Sequence, residues 1–229
     1  MHVLTWNLFH GRAVPEQPRS LSAEFAEAIA EVEWSVALLQ EVPPWWAEHL
    51  ARACSSDVRC VMTSRNCLLT ARRAIADRRP DLIKSNGGGA NVILVRPAAG
   101  AVAAHATRRL RLRPERRLLH AVRLAGGAFD GVWIGNVHAQ VRPHDLTRAD
   151  LSLAGSSLLR WSAGGPALLA GDLNVPDPRV AGFDDAGGHH VDRFLLHGPL
   201  AIPTIEVLER PGGLSDHKPV MAWVERTEL

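Results

Sequence analysis

The residues with the clearest chemical potential lie in the tetrapeptide Gly-Asp-Leu-Asn at positions 171–174. It follows the apolar run 167–170, and this pattern predicts a buried strand that ends in the carboxylate of Asp172 and the carboxamide of Asn174. Side chains two residues apart are expected on one face of a strand. A carboxylate that accepts a proton, beside an amide that donates hydrogen bonds to a developing oxyanion, provides half of a hydrolytic site.

Further polar side chains stand where other predicted strands end. Asn7 ends the first strand in Thr-Trp-Asn, and Glu41 ends the second in Leu-Gln-Glu. Later in the chain, the polar residues at predicted strand ends are Asn136 and His138 in Asn-Val-His, Asp192 in Val-Asp-Arg-Phe-Leu, and Asp216 and His217 in Ser-Asp-His-Lys-Pro. Each has an ordinary structural explanation, because a strand-terminal Asn or Asp is commonly a turn former. Their occurrence together in one chain favours a function.

In this order the motifs resemble those of the endonuclease/exonuclease/phosphatase superfamily, which includes DNase I-like nucleases, abasic-site endonucleases, sphingomyelinases and inositol-phosphate 5-phosphatases. The resemblance extends from Asn7 to His217, and Gly-Asp-Leu-Asn and Ser-Asp-His-Lys-Pro are its most specific parts. It implies an α/β fold, a four-layer α/β sandwich in which two packed mixed β-sheets are flanked by helices. It also implies hydrolysis of phosphoric esters with Mg²⁺ or Mn²⁺.

The resemblance assigns the metal site to three residues. Glu41 is expected to be the principal carboxylate ligand of the divalent ion, with Asn7 and Asp216 completing or orienting its shell. Oxygen ligands and retained waters are what Mg²⁺ requires, so this donor set is chemically consistent with the expected ion.

The resemblance assigns the catalytic steps to a second group. His217 is expected to contact the scissile phosphate or act as its acid–base partner, and Asp192 to hold that imidazole in the useful tautomer. Asp172 is expected to orient or deprotonate the attacking water, and Asn174 to donate to a phosphate oxygen. His138 is expected as a second imidazole at the phosphate, as in the DNase I-like branch. Abasic-site endonucleases typically have a tyrosine there, and this chain contains no tyrosine.

The formal net charge of +2 hides a basic central segment. Residues 52–123 contain 16 Lys and Arg against four Asp and Glu, whereas the rest of the chain has 10 against 20. This asymmetry indicates either a phosphate-binding wall or merely solvated faces. The arginines considered for such a wall are Arg72, Arg73, Arg78, Arg79, Arg108, Arg109, Arg111, Arg113, Arg116 and Arg117. Among them Arg116 and Arg117, together with Asn136, are the predicted substrate-binding residues.

Two local patterns in the sequence bear on nucleic-acid binding. Alternation in Arg-Leu-Arg-Leu-Arg at 109–113 predicts three arginines on one strand face, which is either a contact surface or the solvated side of an edge strand. Trp45 and Trp46 suit stacking on bases, although the neighbouring Leu50 favours helix packing for at least one of them.

Composition limits the class of protein. With 229 residues and 46% hydrophobic content, the chain is expected to form one catalytic domain over residues 1–229. It opens without a signal-peptide pattern and has no run of about 18 apolar residues, so no membrane contact is expected. The cysteines Cys54, Cys60 and Cys67 lack Cys-x-x-Cys spacing and suit a reducing compartment. We therefore expect a cytoplasmic monomer.

Alternating strand and helix signals run along the chain without an obvious linker. Strands are predicted at 2–8, 36–39, 91–95, 101–106, 118–124 and 132–137, and helices at 20–34, after Pro43-Pro44, and at 145–161. Leu168, Phe194, Ile202 and Val220 mark the last strands, and Gly87-Gly88-Gly89 is the expected flexible interruption. The mixture suits two packed sheets with helices outside.

Three functions remain open from the sequence. Nucleic acid is the first expected substrate, because cationic side chains bind backbone phosphates without reading sequence. The alternative is a small-molecule or lipid-headgroup phosphatase or phosphodiesterase with the same core. A catalytically inactive binding module is the third, and it is disfavoured because every core motif residue is present. Salt-sensitive DNA binding, turnover of a small phosphomonoester, or no activity with any divalent ion distinguishes the three.

Overall fold

The computed structural model describes residues 1–63, 68–76, 78 and 89–227. The strands in this part are β1 (His2–Asn7), β2 (Val36–Val42), β3 (Asp57–Met62), β4 (Ala90–Val95), β5 (Ala101–Arg111), β6 (Arg117–Ala125), β7 (Trp133–His138), β8 (Ala167–Asp172), β9 (Asp184–His189), β10 (Asp192–His197), β11 (Leu200–Val207) and β12 (Val220–Arg226). The α-helices are α1 (Ser22–Glu31), α2 (Ala47–Ala53), α3 (Leu69–Ala76) and α4 (His144–Ser162).

The strands form two six-stranded mixed sheets. The first has the order β11-β12-β1-β2-β4-β3 and the second β5-β6-β7-β8-β10-β9. Only the central pairs β1–β2 and β7–β8 are parallel, while the other pairings among the described strands are antiparallel. Both parallel pairs therefore lie at the middle of their sheets. Side chains at the ends of these strands can converge from both sheets.

Three apolar layers account for the packing. Alternate residues of the central strands, such as Leu38 and Ile134, fill the core between the sheets. The opposite faces are covered by helices: Phe25 of α1 packs in the outer core of the first sheet, and Leu158 of α4 in that of the second. This arrangement confirms the predicted four-layer α/β sandwich.

The tryptophan pair lies with this apolar packing. Trp46 is 5% exposed and contacts Phe25 with a ring centroid distance of 5.6 Å. Trp45 is partly buried against the same core. The packing alternative is therefore correct for Trp46, because its ring is enclosed by α1 and cannot stack on a base.

Strands β3 and β9 and helix α3 carry too weak a pattern to be predicted. β3 and β9 lie at the edges of their sheets, and no residue in either strand is fully buried. An edge strand of this kind forms by pairing with its neighbour, so its own side chains show no alternation. The predicted flexible residues Gly87 and Gly88, together with Arg79 and Cys67, lie outside the described residues.

The expected alternation of arginines along 109–113 is wrong. A bulge between Arg109 and Arg111 shifts the pairing of β5 with β6. Arg109 remains opposite Leu118, whereas Arg111 turns to α4 and donates to both carboxylate oxygens of Asp150 at 3.1 and 3.2 Å. β5 ends at Arg111, so Arg113 belongs to the following turn.

No helix among the described residues is sufficiently long and apolar to cross a membrane.

Candidate active site

The second sheet places three predicted catalytic residues in one row. The register pairs His138 of β7 with Asp172 of β8, and Asp172 with Asp192 of β10. Directly paired residues project from the same face of a sheet, which here faces the first sheet. All three side chains are nearly fully buried. The row therefore forms one wall of a narrow polar site between the sheets.

The first sheet supplies the facing wall from the ends of β1 and β2. Asn7 is the last residue of β1 and donates through Nδ2 to Asp172 Oδ2 at 2.9 Å, across the gap between the sheets. Its Oδ1 accepts a hydrogen bond from the backbone N of Phe9. Asn7 is thus fixed at both ends of its amide, and its side chain joins the two walls.

Glu41 reaches the site because β2 is irregular at that point. The β2–β4 register shifts between Leu39 and Val42, and Glu41 has a φ of +51°. A bulge of this kind re-aims a side chain at the cost of backbone strain. The carboxylate lies 3.0 Å from His10 Nε2 and 3.8 Å from His138 Nε2.

His10 is a site residue that the sequence analysis missed. It lies in the turn after β1, with its imidazole against Glu41. The only signal in the sequence is its position three residues after Asn7, which alone does not distinguish it from an ordinary surface histidine.

Asp172 is the hub of the site. Besides the bond from Asn7, its Oδ2 lies 3.6 Å from His138 Nε2 and 3.9 Å from His217 Nε2. Its Oδ1 accepts the backbone N–H of Asn174 at 3.1 Å. One carboxylate therefore faces both imidazoles while being held by two neutral donors.

The Asp192–His217 pair has the expected geometry. Asp192 Oδ2 lies 2.8 Å from His217 Nδ1, which leaves Nε2 directed toward Asp172. Ser215 fixes the loop that carries His217, because its Oγ donates to Asn7 O at 2.6 Å and accepts from His217 N at 3.1 Å. Ser215 was not singled out as a site residue, although it precedes the Asp-His pair in its motif.

The geometry of the Gly-Asp-Leu-Asn segment differs from the simple strand prediction. β8 ends at Asp172, and Asn174 lies beyond it in a turn with a φ of +54°. The position of Asn174 is therefore set by this turn, in which its backbone N–H donates to Asp172 Oδ1, and not by strand alternation. Gly171 is required here, because a Cβ at this residue would stand 2.0 Å from Val137 O. Asn174 Nδ2 donates to Ala139 O at 2.9 Å.

The three predicted substrate-binding residues occupy different environments. Asn136 is fully buried, donates to Leu39 O and Val92 O, and accepts from Gln40, so its amide holds the sheets together and does not reach a substrate. Arg117 is 3% exposed and pairs with Glu115. Arg116 is exposed and directly precedes β6, so its side chain is open to a ligand.

Burial dominates the electrostatics of the two central carboxyls. Desolvation raises the pKa of Glu41 to about 7, while the charge of Arg117 opposes this rise. Desolvation, reinforced by the charge of Asp192, likewise raises the pKa of Asp172 to about 7. Both groups therefore change protonation near neutral pH, where a general base is most effective.

The two imidazoles of the site respond in opposite ways. Burial lowers the pKa of His217, but its hydrogen bond to Asp192 and the charges of Asp192 and Asp172 outweigh this effect and raise the pKa to about 9. Desolvation lowers the pKa of His138 well below its ordinary value, aided by the charge of Arg117. His217 is therefore a proton donor at neutral pH and His138 a neutral ligand or acceptor.

The donor set fits a hard divalent cation. Ligand atoms of Asp172, Asp192 and His217 lie within 4.8 Å of one another. This grouping differs from the predicted set of Asn7, Glu41 and Asp216, although Asp172 links the two through its bond from Asn7. Nearby positive charge does not offset the desolvation of the buried Glu41 and Asp172 carboxylates, and Asp192 Oδ1 is buried without a hydrogen-bond partner among the described residues. A cation that prefers oxygen ligands would compensate the charge of the carboxylates and give Asp192 Oδ1 a partner.

Comparison with known proteins agrees with this geometry. The Endonuclease/Exonuclease/phosphatase family model matches residues 4–217, so the chain belongs to that family of phosphoric ester hydrolases. No curated protein sequence is significantly similar to the chain.

Solved structures share the fold at low sequence identity. A conserved protein of unknown function from Enterococcus faecalis superposes with a TM-score of 0.75 at 16% identity, covering 99% of this chain and 100% of that one. A mannosyl-6-phosphatase from Bacteroides thetaiotaomicron gives 0.69 at 13% identity, covering 98% and 99%. Truncated TDP2 from Caenorhabditis elegans gives 0.66 at 20% identity, covering 97% and 96%.

Proposed function

We propose that this protein is a nuclease that hydrolyses phosphodiester bonds of DNA or RNA with Mg²⁺ or Mn²⁺. The observation that carries the proposal is a group of exposed arginines at the same end of the second sheet as the catalytic row. These are Arg109, Arg113, Arg116 and Arg142, termed here the arginine edge. Within the described residues none of the four forms an ion pair, so their charges are available to a polyanion.

The register of the sheet relates the arginine edge to the site. Arg109 pairs with Leu118, and the pairing of Leu119 with Val137 continues to place Leu118 opposite His138. Strands are about 4.8 Å apart, so the Arg109 backbone lies about 10 Å from that of His138. This spacing suits a nucleic-acid backbone with one phosphate at the site and its neighbours on the arginines.

The chain's own residues can perform in-line attack by water. Asp172, held by Asn7, accepts a proton from the attacking water, and Asn174 has a second N–H to donate to a phosphate oxygen. His217 holds a proton at Nε2 and donates it to the leaving oxygen, while Asp192 keeps its tautomer fixed. A divalent ion held by the predicted ligands Glu41, Asn7 and Asp216 would supply charge neutralisation at the phosphate, which leaves Asp172, Asp192 and His217 for the proton transfers.

The central experiment incubates the purified protein with plasmid DNA, single strands, RNA and small phosphate esters, with Mg²⁺, Mn²⁺ or EDTA. We expect cleavage of nucleic acid that EDTA abolishes and that Glu41→Gln or His217→Ala reduces by at least a hundredfold. Full activity in either variant contradicts the site assignment. Turnover of a small phosphomonoester without nucleic-acid cleavage would identify the protein as a phosphatase instead of a nuclease.

The arginine edge has a separate test. The logarithm of the binding constant falls linearly with the logarithm of the salt concentration, and removing one phosphate contact should make this slope less steep by about 1. We expect this for Arg109→Ala and Arg116→Ala in Ca²⁺ or EDTA, measured by fluorescence anisotropy with labelled DNA. Arg179→Ala is the matched control, because Arg179 is exposed but its guanidinium already pairs with Asp177. Equal slopes in all variants argue against nucleic-acid binding at this edge.

A further inference from the structure

A pocket of about 290 Å³ adjoins the site on the side opposite the arginine edge. Its lining includes His189 and His190 from the β9–β10 turn, Arg210 and Lys218 from the β11–β12 connection, and Asp192 and His217 from the site itself. We infer that this pocket binds a second phosphate of the substrate, next to the phosphate that is hydrolysed. The inference rests on the proposed phosphodiester hydrolysis and names a substrate feature that the catalytic residues do not define.

Charge favours an anion in this pocket. Arg210 and Lys218 are cationic, and the carboxylate of Asp192 in the same lining is engaged in its hydrogen bond to His217. The other carboxylate in the lining is that of Asp216, which is exposed. Two cationic side chains therefore line the pocket beside the reacting phosphate.

The two cations differ in how they are held. Arg210 Nη1 donates to Ser215 O at 2.9 Å, which fixes the guanidinium and leaves its other N–H groups for a ligand. Lys218 Nζ lies 2.8 Å from Glu209, whose side chain is 87% exposed. An exposed ion pair of this type contributes little, so Lys218 can exchange Glu209 for a desolvated phosphate.

The size of the pocket exceeds that of a single anion. Its volume corresponds to about ten water molecules at ~30 Å³ each, enough for a sugar ring bearing a phosphate. Because the pocket begins at His217, the group inside it must be covalently close to the scissile phosphate. A nucleotide unit with phosphates on both sides of its sugar meets both requirements.

The test compares thymidine 5′-monophosphate with thymidine 3′,5′-bisphosphate by calorimetry in Mg²⁺. We expect the bisphosphate to bind at least about tenfold more tightly to the wild-type protein, as one charge-assisted contact permits. This preference should fall to about twofold in Lys218→Ala and reverse in Lys218→Glu. The control Arg179→Ala should keep the wild-type preference, because Arg179 does not line the pocket and pairs with Asp177.

Equal affinities in the wild-type protein, no measurable binding of either nucleotide, or a preference unaffected by Lys218→Ala each overturn the inference. Turnover is measured separately with thymidine 5′-(p-nitrophenyl phosphate), with and without a 3′-phosphate. Hydrolysis with equal affinities refutes only the pocket assignment. If the protein retains its preference for the bisphosphate but shows no hydrolysis with any divalent ion, the proposed hydrolysis is refuted and the pocket assignment stands.

Discussion

The side-chain amides of Gln40 and Asn136 form a hydrogen bond of 2.9 Å between the two sheets. Each of the two residues is close in sequence to a site residue. Gln40 is followed by Glu41, and Asn136 is two residues before His138. Asn136 also donates to Leu39 O and Val92 O, so one side chain satisfies two carbonyl groups of the opposite sheet. The distance between the two walls of the site is therefore set by a fully buried polar contact.

Replacing Asn136 by Leu should lower the free energy of unfolding by about 2–4 kcal/mol. The variant removes the side-chain donor to two buried carbonyl oxygens and one of the acceptors of the Gln40 amide, which keeps its bonds to Thr5 and Leu38. A buried group that loses its partner costs about 1–3 kcal/mol before relaxation. Urea denaturation followed by tryptophan fluorescence measures the change. Thr107→Ala, at an exposed position in β5, is the control and should stay within about 0.5 kcal/mol. A similarly small effect of Asn136→Leu contradicts the role of this contact.

Changing Asp192 to Asn should lower kcat by about 10²–10⁴ with little change in fold. The amide removes the charge that holds the His217 proton in place, so the imidazole loses both its tautomer preference and its proton affinity. NMR titration of the metal-free proteins should show the His217 pKa falling from about 9 toward its ordinary value of 6.5. An unchanged titration curve would show that Asp192 does not govern this imidazole.

Glu41→Gln should stabilise the metal-free protein above pH 7. The folded-state pKa of Glu41 is about 7 against an ordinary value of 4.5, so the unfolded chain releases its proton first as the pH rises. The free energy of unfolding of the wild type therefore falls between about pH 4.5 and 7. The uncharged variant avoids this loss and should gain up to about 3 kcal/mol at pH 8.

Thermal unfolding at pH 5 and pH 8 in EDTA measures this difference, and the two proteins should approach each other at the lower pH. Addition of Mg²⁺ should raise the Tm of the wild type more than that of Glu41→Gln, because the variant has lost a carboxylate ligand. A variant that is less stable than the wild type at pH 8 contradicts the raised pKa of Glu41. A variant that responds equally to Mg²⁺ is inconsistent with Glu41 as a metal ligand.

Ser215→Ala should reduce both stability and turnover. The buried hydroxyl donates to Asn7 O and accepts from His217 N, so its loss unties the loop that carries His217 from the end of β1. We expect a loss of about 1–3 kcal/mol in the free energy of unfolding. We also expect kcat to fall on the order of tenfold to a hundredfold, since small displacements of a catalytic group are costly.

Ser215→Thr provides the matched comparison, because it keeps the hydroxyl and should restore part of the activity. Steady-state kinetics at several pH values separates the two possible causes. Displacement of His217 alters the pH profile of kcat, whereas a merely less stable enzyme retains the wild-type profile below its unfolding temperature.

Much of the fold could be predicted from the sequence. The apolar runs of the central strands are long, buried and bounded by turn residues, so β1, β2, β7 and β8 match their patterns. Edge strands β3 and β9 were missed, because they depend on pairing with a neighbour more than on their own side chains. Strict alternation predicts Arg109, Arg111 and Arg113 on one strand face, because a period of two does not anticipate the bulge between Arg109 and Arg111.

The sequence by itself determined which polar residues stand at or near the boundaries of strands, because side-chain type and strand length are local properties. It thereby supplied Asn7, Glu41, Asp172, Asp192 and His217 as a candidate set. Only the tertiary structure decided how these groups act on one another. Sheet register, the β2 bulge and the Ser215 loop are set by long-range packing, and they separate Asn136, which joins the sheets, from His138, which faces Asp172.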